Sequence, residues 1–233
     1  MDEKSMKTSL WQRIAILAAA VLLIGGTLLT YVIVVLNGSS TDEREDLVNQ
    51  LSAEYTAKGN EINAYAEKLS EKYFKDFVGY KSQVKAYNSA NANAAGLETT
   101  DLKVGTGKEL AEDSTDYMAY YIGWCADGKI FDSSFNDTEN PTSLKSPFVG
   151  SSSMIEGWIQ GIVGMKIGGV RQLTISGPLA YGDTDTAEQV CGKNAPLKFV
   201  VWMLEPDADL VKLNQELNDI DMQLLYAIYG GTI

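Results

Sequence analysis

The sequence predicts an α+β domain, an antiparallel sheet with one short helix on it. Three observations predict it. From Leu97 to Leu204 the chain runs as short segments rich in β-branched and aromatic residues. Asp127-Gly128 joins two of them through a tight turn, a strong hairpin signal. A single stretch, Ser153 to Met165, reads as one short helix. The sequence surrounds this domain with a transmembrane helix and a helical stalk before it and an amphipathic helix after it.

The first element is the apolar run Ile14 to Leu36, which carries no charge. About 20 such residues span a bilayer core as a helix. Lys4, Lys7 and Arg13 precede it, and on the far side only Arg44 lies close, inside the acidic Asp42 to Asp46. That bias places residues 1–13 in the cytoplasm and residues 37–233 outside, as a single-pass protein of the cell membrane. A cleavable signal peptide would have an apolar core of about 7–15 residues and an Ala-x-Ala-like site. This run is longer and exits through Val35-Leu-Asn-Gly-Ser39.

Residues 42–90 lack proline and form the predicted stalk or arm. Ile62, Tyr65, Leu69, Tyr73, Phe77, Tyr80, Val84 and Tyr87 recur every 3 or 4 residues, a near-heptad stripe. It fits a helix packed on its own domain or an arm that grips partners. Gly59 marks a break or bend. Residues 91–96, Asn-Ala-Asn-Ala-Ala-Gly, read as a linker.

Within residues 97–205, Asp101 to Gly107 reads as a strand entering a turn, and Tyr117 to Ile122 as a strand. Ile130 and Phe131 begin its return, and Val170–Ser176 and Leu197–Leu204 are strands. After Pro206, the stripe Leu210, Leu213, Leu217, Ile220, Leu224 and Ile228 predicts a helix over 206–233 that stops at Gly230-Gly231. It pairs with the 62–87 stripe within one chain or between two, a possible coiled-coil self-association.

Composition removes whole classes of chemistry. The net charge is −12, unsuited to nucleic acid, whose binding rests on phosphate neutralisation by Lys and Arg. The chain has no histidine, which removes His-based triads, most zinc sites and the commonest general base. No metal cluster and no cofactor motif is present in the sequence. Cys125 and Cys191 lie in the exported part. An oxidising compartment permits a disulfide between them, and two small buried apolar residues fit the sequence equally well.

Linked motifs carry the functional reading. They are Tyr121-Ile-Gly-Trp124, Asp127-Gly-Lys-Ile-Phe-Asp-Ser-Ser134, Met154-Ile-Glu-Gly-Trp158, Gly164-Met-Lys-Ile-Gly-Gly169, Arg171-Gln-Leu-Thr-Ile175, Leu179-Ala-Tyr-Gly182 and Leu197-Lys-Phe199. In order and spacing, residues 97–205 resemble the FKBP family of peptidyl-prolyl isomerases, here as a membrane-anchored, bacterial member. The resemblance implies a twisted antiparallel sheet wrapped on one short helix, with a proline pocket between them. It implies pocket walls at Tyr121, Phe131, Asp132, Ile155, Tyr181 and Phe199, with Trp158 as the floor. Met154 and Ile155 would offer backbone groups to the substrate, and Val190 and Cys191 would lie on an overhanging loop. Leu144 or Phe148 would contribute from a loosely matching stretch. The implied partners are proline-containing polypeptides being exported. The alternative function is a membrane-tethered chaperone or binding module with little turnover.

The chemistry suits the residues. Rotation about X–Pro has a barrier of roughly 18–20 kcal/mol, because the amide loses resonance as it twists. A dry aromatic cavity disfavours the planar, polar amide more than the twisted one, so no base is needed. Singly, each residue also has a plain role: Trp158 and Phe199 as core aromatics, Asp132 as a turn residue, and Gly157, Gly161 and Gly164 as packing glycines.

Overall fold

The computed structural model describes residues 42–150 and 154–229. The predicted segments 1–13 and 14–36 lie outside them. Among the described residues no helix is long and apolar enough to cross a membrane. The elements run α1 (Asp42–Phe77), a 3-10 turn (Val78–Gln83), α2 (Ser89–Ala95), β1 (Leu97–Lys103), β2 (Met118–Trp124), β3 (Ile130–Ser133), β4 (Phe148–Val149), α3 (Glu156–Ile162), β5 (Val170–Ile175), α4 (Asp185–Val190), β6 (Leu197–Leu204) and α5 (Ala208–Tyr229). They fall into two compact units, residues 42–61 with 213–229, and residues 62–212.

In the smaller unit two helical segments share an apolar seam. Val48 and Leu51 pack against Leu224 and Ala227, with Ile220 and Ile228 beside them. Arg44 donates to the Ala227 and Ile228 carbonyls in the last turn of α5. Lys58 bridges Glu61 and Glu216 at 2.7 and 2.8 Å. α1 runs unbroken through Gly59, despite a cost of about 1 kcal/mol for glycine inside a helix.

The larger unit is built on an antiparallel sheet in the order β1-β5-β6-β2-β3, with β4 on β2. Side chains alternate across β2 and β6. Tyr117, Ala119, Phe199, Val201 and Met203 face the core under α3. Tyr120 and its register partner Trp202 face the other way, where Tyr73 and Phe77 cover them at ring distances of 5.5–6.0 Å. The 62–77 stripe therefore packs on its own domain. It stops being helical well before residue 90. Beyond the 3-10 turn, residues 84–88 run extended along the β2–β3 hairpin. Tyr87 N–H donates to Ala126 O at 2.8 Å, and Trp124 Nε1 donates to Lys85 O at 3.0 Å.

Within the predicted linker, residues 91–95 are helical as part of α2. Asn88 caps α2 by accepting from Asn91 N–H at 2.9 Å, and the turn buries Ala92. The first strand is shifted from the predicted 101–107 to 97–103. Gly105 leaves the sheet because it passes too close to the 166–169 backbone for any side chain: a Cβ there would sit 2.2 Å from Lys166 O. The predicted helix over 153–165 is α3 alone, held down by glycine. A Cβ at Gly157 would lie 2.2 Å from Ile175, and one at Gly161 would lie 2.9 Å from Leu173. The bare face of α3 can thus lie directly on β5.

Arg171 locks that arrangement. It forms a two-pronged pair with Asp101 on β1, at 2.6 and 3.2 Å, and donates to the carbonyls of Gly161 and Val163 at the end of α3, each at 2.9 Å.

Candidate active site

α3 raises Trp158 from the residue after Gly157, so the close approach of the helix to β5 also sets the height of the indole. Trp158 is 1% exposed and Phe199, on β6, 5%. Their rings meet edge to face at 5.6 Å. Tyr121 stands edge to face on Trp158 at 5.8 Å, and Phe131 does the same on Phe199 at 5.6 Å. Gly123 makes room for the second pair, since a Cβ there would meet Phe199 and Phe131 at 2.7 and 2.8 Å. Half-buried Met154, Ile155, Tyr181, Val190 and Cys191 pack around the same cluster. The structure thus brings the predicted ring together, with a sealed floor and half-open walls.

The hairpin supplies the polar edge. Cys125 and Lys129 close its turn by an amide-to-carbonyl bond of 2.9 Å, Gly128 takes φ +86°, and Asp127 Oδ1 accepts from Lys129 N–H. This places Asp132 across from Gly123, within reach of Tyr121, whose hydroxyl donates to Asp132 Oδ2 at 2.5 Å. Asp132 is exposed, so it stands at the mouth rather than on the inner wall. Burial first, then the Asp132 charge, pushes the Tyr121 hydroxyl well above its usual range. The same two causes, in the same order, raise Tyr181. The Tyr181 hydroxyl has no hydrogen-bond partner among the described residues.

Four placements refine the expectation. Phe148 belongs to the ring, 6.0 Å from Trp158, while Leu144 lies elsewhere, bridged to Phe135, with its N–H on Ser70 Oγ. The Ile155 carbonyl is engaged by the N–H groups of Trp158 and Ile159 and starts α3. The overhanging segment is partly helical: Thr184 caps α4 by accepting from Ala187 N–H, and Val190 ends it. Cys191 is joined by a disulfide to Cys125, with Cα atoms 5.6 Å apart.

The disulfide ties one pocket wall to the hairpin. It closes a separation of 66 residues, for which the chain-entropy account gives about 4 kcal/mol. Replacing both cysteines by serine should lower stability in urea melts by about 2–4 kcal/mol. It should also raise KM more than it lowers kcat, since the end of α4 is freed while the floor stays in place. A melt and a KM unchanged from wild type would remove this role.

Residues 107–204 match the family model described as FKBP-type peptidyl-prolyl cis-trans isomerase. An FK506-binding protein of Neisseria meningitidis serogroup B is 38% identical over 110 residues, 47% of this chain and 95% of that protein. FK506-binding protein 4 of Rhizopus delemar is 40% identical over 109 residues. There the chain spans 27% of the relative's length. A solved peptidyl-prolyl cis-trans isomerase from Pseudomonas syringae pv. tomato is 26% identical, with a TM-score of 0.36, covering 57% of this chain and 92% of that one.

Proposed function

The chain belongs to the FKBP-type peptidyl-prolyl cis-trans isomerase family, and we propose that it isomerises X–Pro bonds of exported polypeptides while anchored in a membrane by residues 14–36. The observation that carries the catalytic reading is the aromatic cluster in which Tyr121 and Phe131 stand on the buried rings of Trp158 and Phe199. A proline ring seated there leaves water, and its amide enters a medium that favours the less polar, twisted form. Tyr181 orients the substrate carbonyl. Tyr121 is held by Asp132 and serves as wall. The carboxylate is a positioning group, since it faces the tyrosine hydroxyl at the mouth. No proton transfer is required.

The anchor reading rests on the apolar run and on the Lys/Arg bias before it. The Cys125–Cys191 disulfide supports an extracytoplasmic domain, because such bonds persist in oxidising compartments.

A protease-coupled assay on an X–Pro peptide, with the full chain in detergent, tests the activity. The expected result is a catalysed rate that is flat from about pH 6 to about pH 9. The chain has no histidine to titrate there. Tyr121 and Tyr181 are raised, so both stay neutral throughout that window. What these hydroxyls contribute to stability is fully present below about pH 10, their unfolded value, and is lost as pH rises through the folded values. A rate no higher than background at micromolar enzyme overturns the activity.

A further inference from the structure

We propose that Tyr117 is a positioning residue that holds the Trp158 indole N–H away from the proline pocket and so keeps the pocket floor free of donors. The inference rests on the reading of that pocket as the isomerase site.

Trp158 Nε1 donates to the Tyr117 hydroxyl at 3.2 Å, and each residue is only 1% exposed. This is a polar pair inside an otherwise apolar cluster. Tyr117 precedes β2 and lies on the same face as Ala119 and Tyr121, directly behind the indole. Its ring is set from two sides. Phe148 stands 6.3 Å from it and also packs edge-on against Trp158 at 6.0 Å. Gly150 leaves the space the ring fills, since a Cβ there would come within 2.9 Å of Tyr117 Cε1. The Gly150 N–H donates to Tyr117 O at 2.8 Å.

The hydrogen bond decides which edge of the indole meets the substrate. A buried N–H without an acceptor is costly, so an indole lacking Tyr117 would gain by turning over about its Cβ–Cγ bond. Turned over, its N–H would enter the cavity and donate to a substrate carbonyl. The planar amide has the more polar carbonyl, so a second donor in the floor, added to the Tyr181 hydroxyl that already orients that carbonyl, would hold the planar ground state more tightly than the twisted transition state. With Tyr117 in place the floor offers only its π surface and its apolar edge.

Tyr117→Phe removes the acceptor and keeps the ring. The expected outcome is a fall in kcat of roughly two- to tenfold, the rate equivalent of one neutral hydrogen bond. KM should be unchanged or lower, the signature of ground-state binding gained as transition-state preference is lost. The Trp158 indole ¹⁵N–¹H resonance, assigned with Trp158→Phe, should move. In the Trp158→Phe background Tyr117→Phe should have no further effect on kcat, because the N–H it serves is gone. An unchanged kcat with an unmoved resonance overturns the proposal, and so does an additive loss in the Trp158→Phe background. Wild type supplies an independent check should Tyr117→Phe not fold: its Trp158 indole proton should exchange with deuterium as slowly as the β2 amides, and fast exchange overturns the proposal. A wild-type chain without isomerase activity counts against the pocket's function, while the resonance and exchange data still judge the Tyr117 contact.

Discussion

Trp158→Ala is expected to lower kcat/KM for X–Pro isomerisation by about 10²-fold, equivalent to about 2.7 kcal/mol of transition-state stabilisation. The ring is the shared contact of the site, since Tyr121, Phe148 and Phe199 all pack edge-on against it at 5.6–6.0 Å. Alanine would remove the floor and admit water, and the planar amide would regain the solvation that the cavity denies it. Cavity formation also destabilises a fold, so the measurement belongs well below the melting temperature, beside a denaturation curve. Tyr181→Phe and Asp132→Ala in the same assay should lose far less. The first forfeits one hydrogen bond to the carbonyl. The second frees a tyrosine hydroxyl at the mouth of the site. If Asp132→Ala were as damaging as Trp158→Ala, desolvation would not be the main source of catalysis.

The ring was legible because its members sit inside linked motifs whose order fixes which residues share a pocket. Tyr121, Phe131, Trp158, Tyr181 and Phe199 each have a plain core reading alone, and their joint register is what distinguishes them. Phe148 stood only as an alternative to Leu144, because β4 is two residues long and leaves no periodic trace. Tyr117 and Arg171 escaped because support through a hydrogen bond or a helix end depends on geometry that residue types do not encode. The disulfide is the same case: two cysteines far apart in sequence meet only once the hairpin and α4 are placed. Other features carried readable signals. Asn88 and Thr184 are good caps, and they signal the starts of α2 and α4. The consecutive apolar residues of β2 and β6 mark a sheet covered on both faces, as strands solvated on one side alternate. That signal favours a 62–77 stripe packed on its own domain, one of the two roles its periodicity allows.

The covered second face leads to a prediction opposite in kind to the first. Phe77→Ala should cost about 3–5 kcal/mol of stability, the range for deleting a buried phenylalanine. The residue is 0% exposed. Its ring meets Tyr80, Tyr120, Phe135 and Trp202 at 5.6–6.0 Å, so neighbours on several segments would face the void. A loss of that size is a large share of the roughly 5–15 kcal/mol that holds most domains folded. Yet kcat/KM at a temperature where the variant is still native should stay within about twofold, because ordinary distant substitutions perturb rates little. Phe77 lies beneath Tyr120 and Trp202, on the face of the sheet away from Trp158. Chemical denaturation and the isomerase assay on one preparation separate the two effects. A stability change under about 0.5 kcal/mol, the usual range for surface positions, would mean that residues 62–77 do not complete the domain in solution. A matching loss would predict that a fragment begun at residue 97 is destabilised, since it exposes Tyr120 and Trp202 to water and leaves the isomerase sheet with one covered face.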